Sequence, residues 1–283
     1  KYIDILERTL YNALLSGISM SGDKFFYPNV LESFGTHERA AWFDCACCPT
    51  NVTRFIASVA NYVYAEQGNN LYVNLFTDNE TEIKLEGGSV KLRQETEYPW
   101  NGKVKIVVSP QNAEQKFTLK IRIPGWARNE AMPSDLYTFP EAQKSEVTLS
   151  INREKTDLNL ENGYASLSRK WKDGDIIELN LPMQIRRIIA NEKVEADRGR
   201  VAIQRGPLVY AAEWKDNYGF VRNILLPDDS ILHAGFREDK LNGVEIITGM
   251  AFGYSMGDNK KSMVKTEQNF MAIPYYAWAH RGK

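Results

Sequence analysis

The sequence has few of the residues that bind metals or join the loops of small secreted domains. Among 283 residues there are three cysteines and three histidines. All three cysteines fall within four positions, at Cys45, Cys47 and Cys48. A disulfide framework needs cysteines spread along the chain, so this arrangement excludes a disulfide-stapled scaffold.

A charge excess of either sign and long apolar runs are also lacking. Lys and Arg number 35 and Asp and Glu number 36, which leaves a net charge of −1. A protein that coats nucleic acid would be basic, and no apolar run reaches the roughly 20 residues that span a bilayer. We therefore expect neither nucleic acid nor a membrane as a partner. Apolar residues make up 43% of the chain, enough for a globular core.

No starting Met and no signal peptide are present, and the first residues already follow a helical apolar pattern. We therefore expect a piece of a longer polypeptide, whose cellular compartment cannot be read from its ends.

Apolar residues recur every three or four positions from Ile3 to Leu14, which predicts a helix. A second helix is predicted to begin at Cys48, because Pro49 is tolerated in the first helical turn, and to end near Gly68.

After residue 70 the apolar period changes from that of a helix to the alternation of strands. Strands are predicted at 71–76, 103–108, 117–123, 176–181, 200–203 and 207–210. Turn dipeptides such as Asn162-Gly163 separate them, and short strands with regular turns favour antiparallel sandwiches. The stretch 227–269 is polar and weakly patterned. We divide the chain into a helical segment at 1–66, a β-sandwich domain at 67–182 and a second β-rich domain at 183–283.

The cysteine cluster suggests soft-metal chemistry, because thiolates are preferred zinc ligands. Unpaired amides and the dipole at a helix start also favour a thiolate there. The alternative is that the cysteines are small buried hydrophobic residues. Clustered sulfurs alone leave a zinc site incomplete, and the missing ligand would come from Asp44, Glu38, Glu32 or a segment outside this chain.

The segment Trp42 to Asn51 resembles a signature of glycoside hydrolase family 127, the β-L-arabinofuranosidases: Trp-Phe-x-Cys-x-Cys-Cys-Pro-x-Asn. Further blocks follow in the family's order, at 6–12, 25–32, 123–126, 200–210 and 272–279. The resemblance implies a mainly β chain: an N-terminal α-helical remnant of an (α/α)6 barrel, then two antiparallel β-sandwich domains. It implies a plant-derived oligosaccharide as substrate and leaves a homodimer open.

The resemblance also implies a retaining glycosidase with a zinc-bound cysteine nucleophile. By motif position the nucleophile is Cys47, and Cys47 and Cys48 are zinc ligands. Tyr27 lies in the block that lines the sugar pocket, and Cys45 is expected to be a structural thiol. The family's acid/base glutamate and remaining zinc ligands lie upstream of the segment that matches residue 1, so this chain alone is expected to be inactive.

A competing interpretation is a non-catalytic module, in which the β-sandwiches bind glycans or brace a neighbouring domain and the cysteines hold a structural metal. The β-rich region contains five tryptophans that could stack on sugars. We expect these residues to be mostly core or interface, and Trp126, after a Pro-Gly turn, to be a packed corner.

Overall fold

A computed structural model describes residues 1–218, 221–256 and 262–281. The helical part contains α1 (Tyr2–Arg8), which continues as a π-helical turn at Thr9–Leu14, and α2 (Cys47–Ser58), which continues as a 3₁₀ turn at Val59–Tyr62. Both predicted helices are confirmed. No helix in the described ranges is long and apolar enough to cross a bilayer.

The rest of the described chain is mainly β, as predicted. Within the described ranges there are nineteen strands: β1 (Tyr64–Gln67), β2 (Asn70–Val73), β3 (Asn79–Leu85), β4 (Gly88–Thr96), β5 (Lys103–Pro110), β6 (Gln115–Arg122), β7 (Tyr137–Thr138), β8 (Thr148–Ile151), β9 (Glu154–Thr156), β10 (Leu160–Glu161), β11 (Tyr164–Trp171), β12 (Asp175–Asn180), β13 (Ile185–Ala190), β14 (Ala202–Arg205), β15 (Leu208–Ala212), β16 (Ile224–Leu225), β17 (His233–Arg237), β18 (Val244–Met256) and β19 (Met263–Pro274).

The chain forms two compact units, each built from segments distant in sequence. The first comprises residues 1–8 and 53–201, and the second comprises residues 9–52 and 202–283. The first unit contains a five-stranded sheet in the order β1-β2-β6-β11-β10 and a six-stranded sheet in the order β3-β4-β5-β12-β8-β9.

One strand pair departs from the predicted antiparallel pattern. β2 runs parallel to β6, with Leu71 opposite Leu119 and Val73 opposite Ile121. Between these strands the chain builds three strands of the six-stranded sheet, and such a long connection is what a parallel pair requires. The expectation of purely antiparallel sheets is therefore wrong at this pair.

The sheets of the first unit alternate between buried and exposed side chains. Strand β5 shows the pattern, with Val104, Ile106 and Val108 almost completely buried and the residues between them more exposed. The strands predicted at 103–108, 117–123 and 176–181 are confirmed, because this alternation is strong in each of them, whereas the strand predicted at 71–76 ends at Val73. Trp126 is buried in a 3₁₀ turn, which confirms the packed corner.

A buried ion cluster attaches α1 to the first unit. The Arg122 guanidinium donates to the Asp4 carboxylate at 2.9 Å and to Glu7. The Tyr98 hydroxyl donates to the same Glu7 carboxylate at 2.7 Å. The side chains of Arg122 and Glu7 are only 3% and 2% exposed. The predicted apolar stripe of this helix is only half-buried, and its one fully buried side chain is Glu7, since Glu7 has these two partners.

In the second unit β16, β18, β19, β15 and β14 are neighbours in that order, and β17 pairs with β18. Strands β14 and β15 confirm the predictions at 200–203 and 207–210. The weakly patterned stretch 227–269, in which no strand is predicted, contains most of the long pair β18 and β19. Residues 257–261 of that stretch lie outside the described residues.

The π-helical turn is fixed to this sheet by the buried side chain of Asn12. Its amide donates to the Pro207 carbonyl at 2.9 Å, and its carbonyl accepts the Val209 N–H at 2.8 Å. Both ends of the side chain are thereby satisfied by backbone. This contact explains why a polar residue lies buried in a helical turn.

Arg39 holds the last described residues of the chain against the segment around Phe26. Its guanidinium donates to the carbonyls of Trp278 at 2.9 Å, Ala279 at 3.1 Å and Ser16 at 2.9 Å, and lies 4.3 Å from the Phe26 ring centroid. The Phe26 ring stacks on Trp278 with centroids 4.8 Å apart. Burial lowers the pKa of Arg39 to about 10, so the side chain stays charged at neutral pH.

Candidate active site

The cysteine motif forms the start of α2, as predicted, with a shift of one residue. The helix begins at Cys47 instead of Cys48. Pro49 still lies in the first turn, where its missing N–H costs no intrahelical hydrogen bond. The Thr50 hydroxyl donates to the Ala46 carbonyl at 2.8 Å, and the Asn51 side-chain amide donates to the Cys47 carbonyl at 2.8 Å. These contacts hold the first turn in place.

All three thiols are free, and they differ in exposure. Cys45 and Cys47 are exposed, whereas Cys48 is half-buried. The Sγ atoms of Cys47 and Cys48 are 3.9 Å apart. The alternative that the cysteines are buried hydrophobic residues is therefore wrong for Cys45 and Cys47.

Tyr27 lies beside the exposed thiol at the helix start. Its hydroxyl oxygen is 3.9 Å from the Sγ of Cys47. Its ring packs against Phe43, with centroids 4.2 Å apart and the planes tilted by 58°. The tyrosine is 37% exposed, so one part of its side chain faces solvent and another is held by Phe43. The structure thus brings two of the predicted site residues together.

A short β-bridge joins the two segments that carry Tyr27 and the cysteine motif. Phe25 and Ala40 exchange backbone hydrogen bonds of 2.8 and 2.9 Å. The bridge is antiparallel and ties the segment that carries Tyr27 to the segment that carries Phe43. Sequence reasoning missed the role of Phe43, whose position in the motif was the only signal. Trp42 beside it is 58% exposed and lies edge-on to Phe25 at 5.8 Å.

The electrostatics of the cluster favour a thiolate on one sulfur. The hydrogen bond from Tyr27, followed by that from Cys48, lowers the pKa of Cys47. Burial, followed by the hydrogen bond to Cys47, raises the pKa of Cys48. Burial and the contact with Cys47 raise the pKa of Tyr27 to about 12. Cys47 is therefore the first of the three groups to lose its proton as pH rises.

The two neighbouring thiols fit one half of a tetrahedral zinc site. Two sulfur ligands at about 2.3 Å from zinc lie about 3.8 Å apart in tetrahedral geometry, close to the 3.9 Å between Cys47 and Cys48. In the described part of the chain, no group of three or more His, Cys, Asp or Glu residues could hold a metal ion.

The three carboxylates considered as a further ligand do not join the thiols. Glu32 pairs with Arg222, whose Nε lies 2.6 Å from its Oε1, and Glu38 and Asp44 are exposed. Among the described residues none of the three forms a metal-holding group with the thiols, which leaves the other alternative, a ligand from a segment outside this chain.

Three family models match consecutive parts of the chain. The β-L-arabinofuranosidase GH127 catalytic domain matches residues 1–61, the GH127 middle domain matches 70–183, and the family 127 C-terminal domain matches 185–283. A non-reducing end β-L-arabinofuranosidase from Bifidobacterium longum subsp. longum is 32% identical over 99% of this chain and 44% of its own length.

Solved structures of GH127 enzymes are also similar to this chain. A GH127 β-arabinofuranosidase superposes with a TM-score of 0.95 at 46% identity, over 99% of this chain and 44% of that one. A GH127 β-L-arabinofuranosidase from Geobacillus stearothermophilus T6 superposes with a TM-score of 0.89 at 38% identity, over 100% and 45%. The chain thus spans less than half the length of the relatives it matches.

Proposed function

Because this chain belongs to glycoside hydrolase family 127, we propose that it carries the nucleophile of a retaining β-L-arabinofuranosidase that acts on plant-derived oligosaccharides. The observation that carries this proposal is the exposed Sγ of Cys47 at the start of α2, within 3.9 Å of the Tyr27 hydroxyl. A sulfur that can ionise and can be reached from solvent meets the two requirements of a nucleophile.

In the first step the Cys47 thiolate attacks the anomeric carbon of the arabinofuranoside. A carbon–sulfur bond forms, and the bond between the anomeric carbon and the leaving-group oxygen breaks, while that oxygen takes a proton from a general acid. In the second step water attacks the same carbon, gives up a proton, and the thiolate leaves. Two inversions at one carbon retain its configuration, as in retaining enzymes that use a carboxylate nucleophile.

The other residues of the cluster support the reactive sulfur. Tyr27 donates a hydrogen bond to the thiolate and lines the sugar pocket with its exposed edge, and Phe43 holds the Tyr27 ring. Cys47 and Cys48 would hold zinc, which keeps a bound cysteine deprotonated. Asn51 fixes the backbone of the nucleophile through the Cys47 carbonyl.

The remaining groups of the enzyme belong to the portion of the relatives that this chain does not cover. We assign the general acid and the other zinc ligands to that portion, because no carboxylate among the described residues joins the thiols. Residues 1–66 would complete an (α/α)6 barrel, and residues 67–182 and 183–283 would form its β-sandwich domains. The 283-residue chain alone should therefore not hydrolyse an aryl β-L-arabinofuranoside, and clear turnover would contradict this division of the site.

The proposal is tested by trapping the covalent intermediate in the full-length enzyme. Acid quenching during turnover of an aryl β-L-arabinofuranoside should leave a pentosyl adduct on the tryptic peptide 40–54, which Arg39 and Arg54 delimit and which contains all three cysteines. Tandem mass spectrometry should localise the adduct to Cys47.

Two variants complete the test. Cys47→Ser should lose both adduct and turnover with an unchanged melting temperature, and the matched Cys45→Ser should keep the adduct on Cys47. Turnover by a folded Cys47→Ser enzyme would overturn the proposal and favour the non-catalytic, structural role of the cluster.

A further inference from the structure

Cys45 has no part in the proposed glycosidase chemistry, yet it is exposed and lies two positions before the reactive cysteine. It does not form a three-ligand metal group with Cys47 and Cys48 in the described part of the chain. It also lies in a bend that precedes α2, and not inside the helix. We infer that Cys45 is a resolving thiol, which forms a reversible disulfide with Cys47 when that sulfur is oxidised.

Chain geometry selects the partner among the three possible pairs. Consecutive Cα atoms are about 3.8 Å apart across a trans peptide, whereas the Cα atoms of a disulfide lie about 4.4–6.8 Å apart. The adjacent pair of Cys47 and Cys48 is therefore too close to bond without distortion, even though their sulfurs are neighbours. Residues two positions apart, such as Cys45 and Cys47, can reach the required separation.

Exposure and local structure agree with this choice. The thiols of Cys45 and Cys47 both face solvent, but that of Cys48 is half-buried. Closing the bond requires a rotation of the backbone at Cys45, which precedes both α2 and the Ala46 carbonyl that accepts the first helical hydrogen bond, from the Thr50 N–H. Cys48, as the second helical residue, has no comparable freedom.

The chemistry balances with a peroxide as oxidant. The Cys47 thiolate attacks hydrogen peroxide and becomes a sulfenic acid, while the other oxygen leaves as water after taking a proton. The Cys45 sulfur then attacks the Cys47 sulfur, the sulfur–oxygen bond breaks, and a second water leaves. Two thiols lose two electrons in total and one peroxide gains them, and a dithiol reductant reverses the change.

The disulfide would reversibly inactivate the nucleophile. It would also protect Cys47 from oxidation to sulfinic and sulfonic acids, which thiols do not restore. Cys45 would thus be a protective residue for the reactive sulfur. The bond would form whether or not Cys47 attacks a sugar, so its test is independent of the proposed function.

The test uses the whole 283-residue chain in chelator-containing buffer, treated with hydrogen peroxide. Free thiols are alkylated with iodoacetamide, disulfides are reduced with dithiothreitol, and the released thiols are labelled with N-ethylmaleimide. In the peptide 40–54, the second label should appear on Cys45 and Cys47, and the first on Cys48. The loss of two free thiols should be fully recovered by the reductant.

Variants separate resolution from simple oxidation. Cys45→Ser should convert Cys47 to sulfinic and sulfonic acids that dithiothreitol does not restore, whereas the matched Cys48→Ser should keep the reversible pair. A disulfide between Cys47 and Cys48, a disulfide between two chains, or irreversible oxidation of the unsubstituted chain as fast as that of Cys45→Ser would each overturn the inference.

Discussion

The hydroxyl oxygen of Tyr27 lies 3.9 Å from the sulfur of Cys47, although twenty residues separate them in sequence. This contact is the largest single cause of the lowered pKa of Cys47. A phenol that donates to a thiolate stabilises the charged form, and it loses its own proton less readily for the same reason.

Removal of that hydroxyl should make the thiol a weaker acid. In metal-free Tyr27→Phe the pKa of Cys47 should rise, because the hydrogen bond to the thiolate is lost. Iodoacetamide reacts with the thiolate, so alkylation of Cys47 should need a higher pH than in the unsubstituted chain. Tyr62→Phe is the matched control, since Tyr62 packs against Phe55 and should leave the profile unchanged. An unchanged profile in Tyr27→Phe would show that the hydroxyl does not act on the sulfur.

Loss of the buried arginine in the first unit should be strongly destabilising. Arg122→Ala leaves the Glu7 carboxylate buried without its cationic partner, which typically costs about 3–5 kcal/mol. Urea unfolding at neutral pH measures the change in the free energy of unfolding. Arg93→Ala removes an exposed ion pair with Glu95 and should cost about 0–1 kcal/mol. Equal effects of the two substitutions would contradict the assignment.

Acid should weaken the same cluster. Burial alone would raise the pKa of Asp4, but Arg122 and the Gly125 N–H together lower it. A carboxyl with a lower pKa in the folded state binds fewer protons than in the unfolded chain. Its stabilising contribution is therefore complete above the unfolded pKa near 3.8 and is lost as pH falls through the folded value.

This effect is measured by urea unfolding between neutral pH and about pH 3. Asp4→Asn should show a smaller drop in the free energy of unfolding over the acid range than the unsubstituted chain. Asp157→Asn, at an exposed position, is the control and should follow the unsubstituted chain. A drop of the same size in Asp4→Asn would contradict a linked titration.

Asn12 should be important for the stability of the second unit. Asn12→Ala leaves the Pro207 carbonyl and the Val209 N–H without this partner in a buried site, and each buried unsatisfied group costs about 1–3 kcal/mol. Hydrogen exchange of the Val209 amide should accelerate, and the unfolding midpoint should fall. Asn223→Ala removes an exposed contact with the Tyr254 carbonyl and should change neither. Unchanged exchange of the Val209 amide would contradict this role of Asn12.

Turns, helix starts and strands that depend on residues close in sequence were predictable from the sequence. Asn162 and Gly163 have positive φ of 54° and 84°, as the turn prediction for this dipeptide requires. The start of α2 was predicted to within one residue, because proline restricts the first turn. Alternating apolar residues indicated the inner strands of the first unit for the same local reason.

Features decided by distant partners were missed. The helix predicted to reach Gly68 ends earlier, and Tyr64–Gln67 forms β1 because it pairs with β2. The first half of β19 is exposed on both faces, so no apolar alternation marks it. Its structure depends on pairing with β18, which periodicity cannot show. The division at residues 66 and 182 stays a prediction.

The candidate site was predictable only in part. Clustered cysteines before a helix pointed to thiolate chemistry on physical grounds, but the contacts of Tyr27 with Cys47 and Phe43 join residues distant in sequence and have no signature in it. The role of Tyr27 and the assignment of Cys47 and Cys48 as zinc ligands came from the family resemblance alone.

The contacts of Arg39 have a practical consequence for handling this protein. Arg39 donates hydrogen bonds to the carbonyls of Trp278 and Ala279, and the Trp278 ring stacks on Phe26, the residue next to Tyr27. Residues 278 and 279 are therefore held against the segment that carries Tyr27. A protease nick or deletion after Pro274 would be expected to disturb reactivity at Cys47, more than two hundred positions away, without altering any residue of the motif.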